Sequence, residues 1–468
     1  MRLVYLNKLV KNMWKKTRLD AAFVALCLAF GLVFVLVTPP FEAPDEPNHF
    51  YRAYLIAGGQ LNAERRGADA GGVIPASLVR TVDAVIDDIP FQPENKQDLE
   101  NVRKTFSFSL NPEDARFVSF RDTAKYSFVP YVPQVLGVFL GKALGLPPIW
   151  LMYLGRFTNL LVATLMIGGA IRLTPLFKGG FFLIGLMPMS IYLLASLSPD
   201  TPTTSLAFVL IALLLRIAYH PDVRLNVANL TALLGIIALL AACKNAYFLL
   251  AFLFFLIPVR KAASPRSYLL AGLLAVTTSV SSFLAWTQVA ANVYVPFYRG
   301  GFESFRAAEQ FILQHPLPYA RMLAQNLLDW ALFYIHSFVG ILGWLDTRLP
   351  VLFVVLYLGV LVAVAIFEGG KEVAVETWQK LIILAIVGGT VALILTSQFV
   401  TWTGSNAWKI SALQGRYFIP IAPLIFLLLY NTRLTWRLAR ERVHRLLIAF
   451  AAGSLAYTLL IVYRRFYA

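Results

Sequence analysis

The chain has 468 residues, of which 58% are hydrophobic and 14% charged, and its mean hydropathy is +0.67. That composition excludes an ordinary soluble globular domain and points to a polytopic membrane protein. The net charge of +16 does not make nucleic acid an expected partner, because Lys and Arg cluster in short loops between apolar runs, where they report membrane orientation.

Lys8, Lys11, Lys15, Lys16 and Arg18 precede the first apolar run, Ala21 to Val37. This resembles a signal peptide, but VTPPFEAPDE follows where a small-residue cleavage site would stand, so the run reads as a retained span. The cations place the N-terminus in the cytoplasm, and the span then delivers residues 39–59, PPFEAPDEPNHFYRAYLIAGG, to the outer face of the cytoplasmic (inner) membrane. Asp45 and Glu46 stand between Pro44 and Pro47, and Asn48, His49 and Arg52 follow within two helical turns. Proline stiffens the entry, and the pattern predicts a helix from about Glu46 to Gly58 and Gly59, which end it. Two readings stay open. The carboxylates can act as a general base on a membrane-bound substrate, or Asp45 is an N-cap and Glu46 a first-turn partner of the helix dipole.

Residues 60–127 are too polar to span, and residues 128–145, with two prolines and Lys142, suit an interfacial helix. Further spans are expected near 149–171, 180–197, 202–218, 226–242, 246–258, 267–290, 350–367, 379–398, 416–431 and 445–463, about eleven transmembrane helices with the first. Residues 322–345 then lie on or dip into the outer face. This arrangement puts Arg172 and Lys178; Arg216 and Arg224; Arg260, Lys261 and Arg266; Lys371 and Lys380; and Arg433, Arg437, Arg440, Arg442 and Arg445 inside, the positive-inside pattern. Arg464 and Arg465 fall outside, against it. The expected organisation is one transmembrane domain over 1–468, with a first external loop at 39–148 carrying the acidic motif and interfacial helices, and a second large external segment at 291–349. Cys27 and Cys243 lie in or beside apolar runs and read as buried small hydrophobes rather than a disulfide.

The same topology collects polar residues on one face: Arg156 in YLGRFTN, Asp200 in SLSPDTP, Lys244 and Asn245 in ACKNAYF, Trp344, Asp346 and Arg348 in GWLDTRLP, and Gln414 and Arg416 in LQGRYFIP. Ionisable groups at membrane depth are costly and usually face a cavity or a partner. Taken singly, Asp200 reads as a cap, Lys244 as a snorkelling side chain and Arg416 as an interfacial anchor. Together they form two half-sites. Carboxylates can take a proton from a hydroxyl, and cations in a low-dielectric mouth can stabilise a departing phosphate. A membrane enzyme needing both moves a group from a lipid-linked phosphate to a hydroxyl. The loop Gln398 to Tyr417 adds Trp402 and Trp408, whose indoles can stack on sugar rings or belong to an interfacial belt. HExxH, GxxxxGK[ST] and strand-linked GxGxxG motifs are absent, as is any Cys/His set with zinc spacing. No nucleotide site is visible. The five histidines, His49, His220, His315, His336 and His444, are scattered.

The segments PPFEAPDEPNHFYRAYLIAGG, YLGRFTN, SLSPD, ACKNAY, FVGILGWLDTRLP and QGRYFIP resemble the motifs of the bacterial domain-of-unknown-function family 2142, over about residues 20 to 425. That family is similar to the GT-C membrane glycosyltransferases, which include protein mannosyltransferases and the aminoarabinose transferase acting on lipid A. The resemblance implies an all-α, GT-C-like polytopic fold and a polyprenyl-phosphate-linked sugar donor. It implies Asp45 as leading base with Glu46 its neighbour, and Asp200 as the aspartate after the third span of that fold. Lys244 or Arg416 would stand near the lipid phosphate, with Arg156 a further candidate.

The expected function is an inverting glycosyltransferase acting at the external (periplasmic) face on a glycan, lipid or protein acceptor. Asp200, His49 and Arg52 are candidates to orient the acceptor or a metal. No cofactor is certain; a divalent cation (Mg or Mn) in an oxygen site is left open. The rival readings are a lipid-linked glycan polymerase or ligase, a transporter or flippase, whose charges would spread along the depth of the bundle with repeat symmetry, and an assembly protein without chemistry.

Overall fold

The computed structural model describes residues 18–86, 88–295, 302–370, 373–402, 410 and 413–468. Lys8, Lys11, Lys15, Lys16, Lys371 and Trp408, each given a role above, lie outside the described residues. The described chain is mostly helical. Six helices are long and apolar enough to cross a membrane: Leu19–Val37, Pro148–Leu173, Asp200–Tyr219, Pro265–Val293, Thr377–Trp402 and Arg440–Tyr467. The helix Asp200–Tyr219 is the most enclosed of these, with 89% of its apolar window buried, and Asp200 stands at its head.

The other five expected spans are shorter or broken, so six of the expected eleven stand as helices of span length among the described residues. Val227–Cys243 and Val351–Phe367 reach 17 residues each. The segment at 180–197 breaks into Lys178–Gly185 and Pro188–Leu194, because Pro188 lacks the amide that would continue the helical ladder. Residues Asn245–Leu256 wind as a 3-10 helix. At about 2.0 Å rise per residue, its 12 residues reach about a third further than an α-helix of equal length. Residues Gly415–Ile421 are also 3-10, with Pro420 inside, before the short helix Ala422–Leu427. Neither 128–145 nor 322–345 forms a helix of span length. The first is Val129–Tyr131 and Val132–Ala143, and the second is broken among Pro316–Asp329, Ala331–Val339 and the hairpin Ile341–Leu342 with Thr347–Arg348.

The all-α expectation misses a three-stranded antiparallel sheet in the first loop, Glu64–Arg66, Asp69–Pro75 and Ala115–Ser119. Two glycines make it possible. Gly71 pairs with Ser119, and a Cβ there would meet the Val118 carbonyl oxygen at 1.9 Å; at Gly72 it would meet Leu55 at 2.7 Å. The sheet therefore packs directly on the helix Glu46–Ala57, which carries the acidic motif. Phe41, Phe50, Leu55, Ile74, Leu78, Tyr131 and Met152 form a core here, distinct from that of the main bundle. Arg465 is tied to the same loop. It pairs with Asp346 at 2.9 Å and donates to the carbonyls of Ile89, Gln92 and Asn95. These bonds give Arg465 a structural reason for its position.

Candidate active site

The first span ends at Val37 and the chain turns through PPFEAPDE into the helix Glu46–Ala57. That helix ends at Gly58, with Gly59 at φ +89°, as its sequence predicts. Asp45 stands at the N-cap position but does not cap. It adopts the left-handed conformation (φ 59°, ψ 15°), and its carboxylate accepts no bond from the helix. A non-glycine residue there costs of order 1 kcal/mol. The turn aims the side chain, 34% exposed, at the guanidinium of Arg416, 3.7 Å away.

Arg416 reaches this point because Gly415 has no side chain; a Cβ at Gly415 would lie 2.0 Å from the Tyr334 carbonyl oxygen. The Gly415 amide is held by Ser337 Oγ at 2.8 Å. Arg416 Nε lies 3.9 Å from Asp200 Oδ2 and makes no hydrogen bond there. The buried cation therefore sits between two carboxylates at ion-pair distance with donor capacity left over. Lys244, in the break between the helix Val227–Cys243 and the 3-10 helix, pairs with Asp200 Oδ1. Its ammonium lies 4.7 Å from the ring centroid of Tyr417 and 5.8 Å from that of Tyr126. Asp45, Asp200, Lys244 and Arg416 thus converge from segments spread over more than 370 positions of the sequence.

Lys244 also lines a cavity of about 540 Å³. Lys125, Tyr126 and Tyr417 share its polar end, while Phe248, Phe283 and Leu393 are among its apolar wall. Lys125 and Tyr126, which the sequence reading missed, hang from two anchors: Trp286 Nε1 donates to the Lys125 carbonyl at 3.0 Å, and Arg52 Nη2 to the Tyr126 carbonyl at 3.1 Å. Arg52 donates to the Leu61 carbonyl as well, at 2.6 Å, with its Nε and Nη1 unpartnered. It positions the loop rather than facing the cavity. His49 Nδ1 is bonded to Tyr131 Oη at 2.9 Å.

The electrostatics favour proton transfer at Asp45. Burial raises its carboxyl above the usual range, with the nearby Asp200 charge in the same direction; Arg416, Lys244 and Lys125 oppose them. Burial, with help from Lys244, pushes the Lys125 ammonium down to about 8. Burial likewise raises Asp122 to about 6 and lowers His49 to about 3, so His49 is neutral at physiological pH.

Glu46 and Arg156, expected as a catalytic carboxylate beside Asp45 and as a phosphate ligand, stand apart from this cluster. Both are buried, at 1% and 0% exposure, and form a two-pronged pair at 2.8 and 2.5 Å. Arg156 also donates to the carbonyls of Val35, Thr38 and Pro39, while Glu46 accepts the Leu197 amide at 3.0 Å. One turn along the same helix, Asn159 holds the carbonyls of Ser196 and Ser198. YLGRFTN is therefore a clasp joining the acidic loop to SLSPD, and it sets where Asp45 and Asp200 meet. GWLDTRLP is structural too, through Asp346 and through Trp344, which donates to the Phe41 carbonyl at 3.4 Å. Among the described residues no group of three or more metal-ligating side chains is assembled.

These features define a multi-pass membrane protein with a mixed acidic and basic cluster beside the non-spanning loops, whose Lys244 lines an apolar cavity. The model of the family described as predicted membrane protein (domain of unknown function 2142) matches residues 28–425, and the chain belongs to that family. No curated protein and no solved structure matches it.

Proposed function

We propose that this protein is an inverting membrane glycosyltransferase that moves a sugar from a polyprenyl-phosphate donor to a hydroxyl acceptor. The observation that carries the reading is the meeting of Asp45 with Arg416, Asp200 and Lys244, of which Lys244 also lines an apolar cavity. A polyprenyl phosphate has a long apolar tail and a compact anionic head. The cavity offers aromatic and aliphatic walls to the tail and Lys125, Lys244 and the adjacent Arg416 to the head. In the transfer, the Asp45 carboxylate takes the acceptor O–H proton. The acceptor oxygen forms its bond to the anomeric carbon from the face opposite the phosphate, the C–O bond to phosphate breaks, and its electron pair leaves on the phosphate. Arg416 and Lys244 offset that charge in a site of low dielectric. Asp200 acts through the cations, orienting both.

The site works on the external side of the cytoplasmic membrane, a reading supported by Arg172, Lys178 and Arg440 lying at the other end of the bundle. Grouping of the charged cluster at one end favours transfer over translocation, for which charges would line the depth. Purified protein in nanodiscs, given a polyprenyl-phosphate sugar and an acceptor glycan or lipid, should release free polyprenyl phosphate. Donor consumption that is absent from the wild type, or unchanged in Asp45→Asn, would remove the proposal.

A further inference from the structure

At the opposite end of the first span, about 28 Å from the acidic loop by its 19 residues, a second recess of about 330 Å³ opens. Four cations line it, Arg18, Arg172, Lys178 and Arg440, against two carboxylates, Asp20 and Glu441. They come from three separate regions: the start of the first span, the end of the helix Pro148–Leu173 with the loop after it, and the start of the helix Arg440–Tyr467. Arg18 is neutralised by Asp20 at 2.7 Å, and with Glu441 as the second carboxylate the lining keeps an excess of two positive charges among Arg172, Lys178 and Arg440. Lys178 is fixed in place by the carbonyls of Ile171 and Arg172, at 2.9 and 3.0 Å. Three helices begin at this recess and one ends there, so the helix dipoles leave a net positive contribution.

Membrane orientation explains why these cations lie on this side. It does not explain their gathering in one concave site with Leu19 and Ile171 as apolar neighbours. Further along the first span, Ala21, Ala25, Ala29 and Leu32 are exposed in helical register, an apolar track leading away from the recess. We infer that this recess binds the phosphate headgroup of an anionic phospholipid, with an acyl chain lying along the first span. Basic pockets between helices on the cytoplasmic side suit such headgroups. The site is separate from the transfer chemistry, and its ligand is a membrane component rather than a substrate.

The test is native mass spectrometry of the full chain released from nanodiscs of phosphatidylglycerol mixed with phosphatidylcholine. The wild type should retain phosphatidylglycerol preferentially. Arg172→Gln with Arg440→Gln should weaken that retention about thirtyfold, whereas Arg172→Lys with Arg440→Lys should keep most of it. Equal retention of both lipids by the wild type, or undiminished retention by the double glutamine variant, would overturn the inference. Should the glutamine variant not fold, the wild-type comparison decides alone. Displacement of the lipid by millimolar inorganic phosphate would assign the recess to a free phosphate and overturn the lipid reading.

Discussion

Replacing Glu46 with glutamine removes the countercharge of Arg156 while keeping the shape of the side chain. Arg156 would retain the carbonyls of Val35, Thr38 and Pro39 but no carboxylate, in a place with no access to water. Breaking a buried ion pair by removing one partner costs about 3–5 kcal/mol. For 468 residues, the entropy of unfolding scales to a Tm drop of about 1 °C per kcal/mol, so Glu46→Gln should melt about 3–5 °C lower in detergent. The combined Glu46→Gln, Arg156→Met variant should lose less than the sum of the two single changes, by about 1–3 kcal/mol of coupling. Asp45→Asn should leave Tm within about 1 °C, since its partly exposed carboxylate only faces Arg416 at 3.7 Å. Thermal unfolding of the four variants against wild type separates a structural clasp from a catalytic residue. A Glu46→Gln protein as stable as wild type, or strictly additive losses, would refute the reasoning.

Asp45→Asn should lower sugar transfer about 10²- to 10⁴-fold with donor binding largely kept, read as a fall in kcat at near-constant KM. Transfer should fail at both ends of the pH range. Below the raised pKa of Asp45 the base is protonated, and above about 8 Lys125 loses its charge and donor affinity falls. Lys125→Arg should move only the alkaline limb upward, since arginine stays charged, and a pH profile of kcat/KM checks both limbs. Gly415→Ala should abolish transfer, because its Cβ would meet the Tyr334 carbonyl oxygen at 2.0 Å and shift Arg416; activity near that of wild type would show that the approach of Arg416 is not needed.

What could be read from the sequence follows from which signals are local. The helix Glu46–Ala57 was legible because Pro47 and Gly58 mark its ends within one segment. That Lys244 and Arg416 each lie beside a carboxylate, Asp200, agrees with the rule that a charge inside an apolar run needs a partner. Glu46 and Arg156 obeyed the same rule, and sequence alone could not tell which carboxylate each cation would take. Asp45 and Glu46 are neighbours in the chain, yet the left-handed turn at Asp45 sends one to the cluster and the other to the clasp. The sheet of the first loop stayed hidden because its strands are short, polar at one edge and joined across about forty residues. Lys125 and Tyr126 stand in an ordinary polar stretch, and Trp286 and Arg52, from elsewhere in the chain, hold them at the cavity. The breaks at 180–197 and 416–431 were not legible from hydropathy, which registers apolar length and not the interruption of hydrogen bonding at Pro188 and Pro420.

The central claim is that one site holds both the lipid phosphate and the base. The direct measurement is a cryo-EM structure of the wild type in nanodiscs with a non-transferable polyprenyl-phosphonate sugar. The account expects the phosphonate within hydrogen-bond reach of Lys244 and Arg416, the prenyl chain between Phe248 and Leu393, and the Asp45 carboxylate on the side of the anomeric carbon away from phosphorus. Phosphonate density elsewhere, with Arg416 still closed on Asp45 and Asp200 and the cavity empty, would contradict it.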